Sequence, residues 1–247
     1  MRVKTQPSCN KILYLILSLI ITFSNSSAFA RQKRIDFAEL DKVALEELKQ
    51  RNTPGAAVAV IKDGQVIYAK GYGVASIETG APVTPDMLFR LGSTTKMLTA
   101  AALVTLAASG KLKLDAPIGA YVKGLNPRLA QVTAHQLLSQ SAGLGDFAAT
   151  ITSNDDAALG NQARSWKQDV FFTEPGKIYS YSSPGYWLAG LVVEEVGAKP
   201  YADAMDELLF KPLGMSRSTL RPTVAMTYPL TAGHRVEDDK AVVIRPA

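Results

Sequence analysis

The pair Asp63-Gly64 does most to restrict what this chain can fold into. It separates residues 55–61 from residues 65–73, two apolar runs rich in β-branched side chains. Asp-Gly suits a two-residue turn with both residues at positive φ, so the runs are expected to pair as antiparallel strands. Upstream, Asp36 with Glu39 has the form of a helix N-terminal box. Phe37, Leu40, Ala44, Leu45 and Leu48 then recur at helical spacing, which predicts an amphipathic helix over 37–50. Downstream the pattern is helical. Residues 93–109 are apolar on nearly every side, with Met97, Leu98, Ala101, Leu103 and Leu106, and Gly110 stops them. This predicts a buried central helix. Thr133 with Gln136 opens a short helix to Leu138, a further helix covers 186–196 up to Gly197, and another covers 201–210 ahead of Pro212. Beyond residue 220 only residues 241–244 have strand character. Residues 146–173 are polar and irregular, either a loop over a site or a tolerated insertion. Trp166, Phe171 and Phe172 there line a site mouth or pack in the core. Strands followed by helices indicate an α+β fold. A two-stranded hairpin alone is marginal, so the sheet reads as unfinished.

The first 30 residues are expected to be a signal peptide. Arg2, Lys4 and Lys11 precede an apolar run over 12–23, and Ala28-Phe29-Ala30 closes it. The run is short for a permanent anchor, so a membrane is involved only through this segment if it stays uncleaved. Cleavage after Ala30 would leave the domain 31–247 in a secreted or periplasmic setting. The chain's 27 basic and 22 acidic residues then become 24 and 22, and no polybasic run remains to support nucleic-acid binding. The only Cys, Cys9, leaves with the leader, which excludes a disulfide scaffold. The two histidines, His135 and His234, are isolated and read as core or surface residues, so no metal site is expected.

The chemistry centres on Ser93-Thr94-Thr95-Lys96. A serine hydroxyl is a poor nucleophile until a base takes its proton. At i and i+3 on a helix, Ser and Lys share a face. Ser93 at the first turn also lies beside free backbone N–H groups and the positive end of the helix dipole, which favour developing negative charge. A Lys96 buried in a dry pocket would give up its proton more readily. The spacing alone also fits a helix cap beside a solvated lysine. It recurs by chance as Ser8-Cys9-Asn10-Lys11 in the leader.

The surrounding residues go further. Leu88-Phe89-Arg90-Leu91-Gly92 leads into Ser93-Thr94-Thr95-Lys96, and the helix ends in Ala108-Ser109-Gly110-Lys111-Leu112. Leu137-Leu138-Ser139-Gln140-Ser141-Ala142-Gly143-Leu144 looks like L-L-x-H-T-S-G-L. Pro175-Gly176 followed by residues 179–186, YSYSSPGY, looks like P-G…Y-S-N-x-G-Y, and Pro212-Leu213-Gly214-Met215 matches P-L-G-M. Over roughly 55–220 the chain therefore resembles the serine β-lactamase and penicillin-binding D,D-peptidase family, in its class C-like branch. That resemblance implies a β-lactamase/transpeptidase-like fold, an antiparallel sheet packed against a helical region. It implies Ser93 as acylated nucleophile, Lys96 as its base partner and Tyr181 as proton shuttle, with Tyr179 the rival tyrosine. No cofactor is required.

Three departures accompany it. Ser183 stands at the substrate-binding position usually held by Asn, and offers a shorter reach and fewer donors. Gln140 and Ala142 replace the usual His and Ser in a segment read as mainly structural. Nothing in 220–247 matches the family's late K-T-G-type strand, whose backbone supplies one oxyanion donor, a loss that typically costs about 10²–10³ in rate. The chain thus reads as incomplete at its C-terminus, and a bare sheet edge predicts aggregation. Two functions follow. The first is a secreted serine hydrolase acting through an acyl-enzyme on a β-lactam, a D-Ala-D-Ala peptide or a small ester. The alternative is an incompetent truncated homologue or a module that binds cell-wall peptide. No G-x-S-x-G elbow is present, Gly71-Tyr72-Gly73 reads as a strand-end turn, and Asp155-Asp156 as a solvated loop pair.

Overall fold

A computed structural model describes residues 35–147, 153 and 155–244. The leader and the Ser8/Lys11 pair lie outside the described residues. The chain divides at Ala44/Leu45 into two units, and the second carries all that follows α1. Helix α1 spans Ala38–Gln50. Strands β1 (Gly55–Lys62) and β2 (Gln65–Gly73) pair antiparallel, with Ile61 opposite Val66 and Lys62 opposite Gln65. Asp63 and Gly64 turn the chain at φ 51° and 74°, the left-handed geometry that the Asp-Gly pair tolerates. Gly71 lies within β2 because the backbone crosses it: a Cβ there would sit 2.1 Å from the Val83 carbonyl oxygen.

A 3₁₀ turn at Gly92–Thr94 runs into α2 (Thr95–Ala108). Only one side of α2 is covered. Thr99, Ala102, Leu103 and Leu106 are buried, whereas Met97 is 65% and Val104 50% exposed. The expected all-round burial is therefore corrected: α2 packs on a later helix, and no described element covers its opposite face. Short helices α3 (Pro127–Ala130) and α4 (Ala134–Leu138) follow. Thr133 and Gln136 close a reciprocal capping box on α4. The polar stretch 146–173 contains helix α5 (Ala158–Ser165). Its Trp166 belongs to the core, edge-on to Phe147 and tilted against Trp187, while Phe172 faces solvent.

Helix α6 spans Ser183–Gly197, three residues longer at its start than its apolar run suggests. Ser182 caps it by accepting the Gly185 N–H, and Pro184 sits in the first turn, where its missing N–H costs nothing. Leu188 through Val193 are all buried, so α6 is the axis of the core, packed against α2, α4 and α5. Helix α7 (Tyr201–Met205) continues as a π-helical turn, Asp206–Phe210, and α8 covers Pro222–Ala225. Asp156 is not merely solvated: it shares Arg221 with Asp203.

The sheet content also differs from expectation. Residues 241–244 belong to β4 (Lys240–Ile244), which pairs with an unforeseen β3 (Gly233–Glu237) across Asp238-Asp239, both at positive φ. Among the described residues there are thus two sheets of two strands each. Helices with small antiparallel sheets make this an α+β fold, as expected.

Candidate active site

Ser93 sits in the 3₁₀ turn before α2, and Lys96 lies one turn on, in the first turn of the helix itself. The spacing brings Lys96 Nζ to 3.2 Å from Ser93 Oγ. From the other side the Tyr181 hydroxyl reaches the same oxygen at 2.7 Å. Tyr181 immediately precedes the Ser182 cap of α6, so two helix starts meet at one hydroxyl. Ser183, the first residue of α6, receives a longer hydrogen bond of 3.5 Å from Lys96 Nζ. The four residues singled out in the sequence stand together. The rival Tyr179 does not join them and is 72% exposed.

The lysine is held by aromatic faces. Its Nζ lies 4.8 Å from the Tyr181 ring centroid and 5.8 Å from that of Tyr186, both within the range of cation–π attraction. Tyr186 donates its hydroxyl to the Leu138 carbonyl at 3.0 Å, and burial pushes its phenol pKa up. Tyr181 moves the other way. The Lys96 amine first, then the Ser93 hydroxyl and Ser183, hold its phenol below the ordinary value of 10.0, against an opposing effect of burial. The phenolate of a tyrosine so placed can accept a proton from Ser93 and return it. The pocket is not dry: Ser93 is exposed, Lys96 half-buried, and Tyr181 41% exposed.

Three further residues shape the site. Tyr186 was visible only as a motif member, and its five-residue distance from Tyr181 gives no hint that both rings would flank Lys96. Asp146 accepts the Ser183 N–H at 2.9 Å. Gln140 takes the Ser182 N–H on Oε1 at 2.9 Å and the Ser180 N–H on its carbonyl oxygen at 2.8 Å. These contacts join segments some forty residues apart, and no local pattern signals them. Among the described residues no three His, Cys, Asp or Glu side chains gather as a metal site. His234 instead accepts the Ile77 N–H, and His135 lies near Asp115. No helix among them is long and apolar enough to cross a membrane.

Known proteins resemble this chain over most of its length. A family model described as Beta-lactamase matches residues 40–247. Esterase EstB from Burkholderia gladioli is 35% identical over 195 residues, covering 72% of this chain and 50% of that protein. The octameric penicillin-binding protein homologue from Pyrococcus abyssi superposes with a TM-score of 0.73 at 28% identity, over 85% of this chain and 50% of that one. A class C beta lactamase from Rhodobacter sphaeroides gives 0.65 at 29% identity, over 83% and 57%. The chain spans about half the length of the curated relatives it matches.

Proposed function

Because the chain belongs to the beta-lactamase family, we propose that it is a serine hydrolase that carries its substrate's acyl group on Ser93. The observation that carries this reading is the double contact on one oxygen, Lys96 Nζ at 3.2 Å and Tyr181 OH at 2.7 Å. Ser93 Oγ attacks the substrate carbonyl carbon as its proton passes to the Tyr181 phenolate, which the Lys96 ammonium stabilises. The N-terminal end of α2, which follows Ser93 directly, stabilises the oxyanion that forms. The tetrahedral species collapses, its C–N or C–O bond breaks, and the leaving amine or alcohol takes the proton from Tyr181. Water then adds to the Ser93 ester, giving up its proton by the same route, and the acid departs as Ser93 regains its hydrogen.

The substrate is an amide or ester: a β-lactam, a D-Ala-D-Ala peptide or a small ester. Ser183 favours the ester among them, since it offers one hydroxyl where an Asn would offer an amide to a peptide-like side chain. Residues 1–30 support export, with hydrolysis taking place outside the cytoplasm. Lys96 reaches Ser183 only at 3.5 Å, which favours a second reading, a peptide-binding homologue without turnover. The test is intact-mass analysis of the full chain after incubation with a p-nitrophenyl ester and with a fluorescent penicillin. An adduct on Ser93 that turns over, and is lost in Ser93→Ala, is expected. A folded protein that takes no adduct overturns the hydrolase reading in favour of the second.

A further inference from the structure

We propose that Gln140 is a positioning residue for the reaction at Ser93, gripping the chain on both sides of Tyr181 and so fixing the approach of its phenol. The inference rests on the acyl-enzyme reading of Ser93. Helix α4 ends at Leu138, Ser139 is its C-cap, and Gln140 follows at φ 57°. This left-handed conformation is unfavourable for a non-glycine residue, and glycine or asparagine is the usual occupant after a helix. Gln140 uses the conformation. Its carbonyl oxygen accepts the Ser180 N–H at 2.8 Å, and its Oε1 accepts the Ser182 N–H at 2.9 Å.

In an extended segment, alternate N–H groups point the same way. One residue with two acceptors can therefore take both, leaving Tyr181 between them. Gln140 is 9% and Ser182 3% exposed, so neither bond is readily replaced by water. The next residue is tied as well: Ser183 donates its N–H to Asp146 Oδ1, and the Ser182 hydroxyl donates to the Gly145 carbonyl. Gln140 and residues 145–146 thus form a seat for residues 180–183. The phenol that leaves this seat meets Ser93, Lys96 and Ser183, with the phenols of Tyr179 and Tyr186 as the other titratable groups near it.

The test uses Gln140→Gly, which removes the carboxamide while suiting the backbone at φ 57°, and Gln140→Met, which fills the space without an acceptor. Two quantities are read in the full chain: hydrolysis of a p-nitrophenyl ester, and phenolate absorbance on titration with base, with Tyr181→Phe as the subtraction control. In both variants kcat is expected to fall about 10- to 100-fold, with KM within about twofold, as expected for a misplaced catalytic group. The low-lying phenol titration assigned to Tyr181 is expected to move up toward that of an ordinary tyrosine. Unchanged kcat and titration in a cooperatively melting variant overturns the proposal. So does loss of cooperative melting in both variants, which would make Gln140 a residue of the fold alone. A titration that moves in a protein forming no Ser93 adduct counts against the hydrolase reading and not against the grip on Tyr181.

Discussion

On the hydrolase reading, a phenol 2.7 Å from a serine hydroxyl and flanked by a lysine carries a proton at a set point its neighbours control. Tyr181 has its pKa lowered chiefly by Lys96, so its ionised form is reached at lower pH than for a free tyrosine. Ester hydrolysis is therefore expected to gain its alkaline limb below the ordinary tyrosine value, and Lys96→Met to displace that limb upward while lowering the rate. Tyr181→Phe removes the carrier and is expected to cost about 10²–10⁴ in kcat. Rate profiles of the three proteins against pH check both outcomes. At this scale Ser93 and Lys96 were legible as an i, i+3 pair, because one helical turn decides their distance. Tyr181 was legible only through resemblance, since nothing in its own surroundings announces a partner 88 residues away. Gln140 was legible as a departure, but its two bonds to the Ser180 and Ser182 N–H groups, made by backbone and side chain together, were not.

The helices differ in how far their ends can be read. The capping box of α4 is written locally, and Thr133→Ala is expected to cost about 1 kcal/mol in denaturant unfolding. The start of α6 was placed late because Ser183-Pro184-Gly185 has the composition of a turn, although Ser182 and Pro184 are also a cap and a first-turn proline. β3 escaped notice because Gly233–Glu237 contains one apolar residue, Val236. Pairing with β4 and the His234–Ile77 bond hold it in place, and neither is encoded within the strand. Where α6 gives way to α7, Glu194 Oε2 accepts the Tyr201 N–H, while burial, the largest influence, raises the Glu194 pKa above 4.5. The folded state then holds a proton that the unfolded chain releases, so stability falls as pH rises from the ordinary glutamate value through the raised one. Glu194→Gln keeps an acceptor and removes the charge. It is expected to raise the melting temperature at neutral pH and to leave it unchanged at pH below the ordinary glutamate value; thermal melts in both conditions decide.

For the molecule as a whole, the apolar interior is concentrated around α6, and the sheets remain thin. Ile61 and Val66 face each other across β1 and β2 at 66% and 64% exposure, and each sheet has two strands among the described residues. An exposed cross-strand apolar pair on a short ribbon favours contact with other chains. The protein is expected to self-associate as its concentration rises, and Ile61→Lys with Val66→Lys to reduce this; sedimentation velocity measures both. Where the reaction is concerned, the openness of the Ser93 pocket matters most. On the hydrolase reading, an acyl group attached at this hydroxyl is open to bulk liquid as far as the described residues go. In mixtures of water and methanol, the partition between free acid and methyl ester is then expected to follow the composition of the liquid, which product analysis measures.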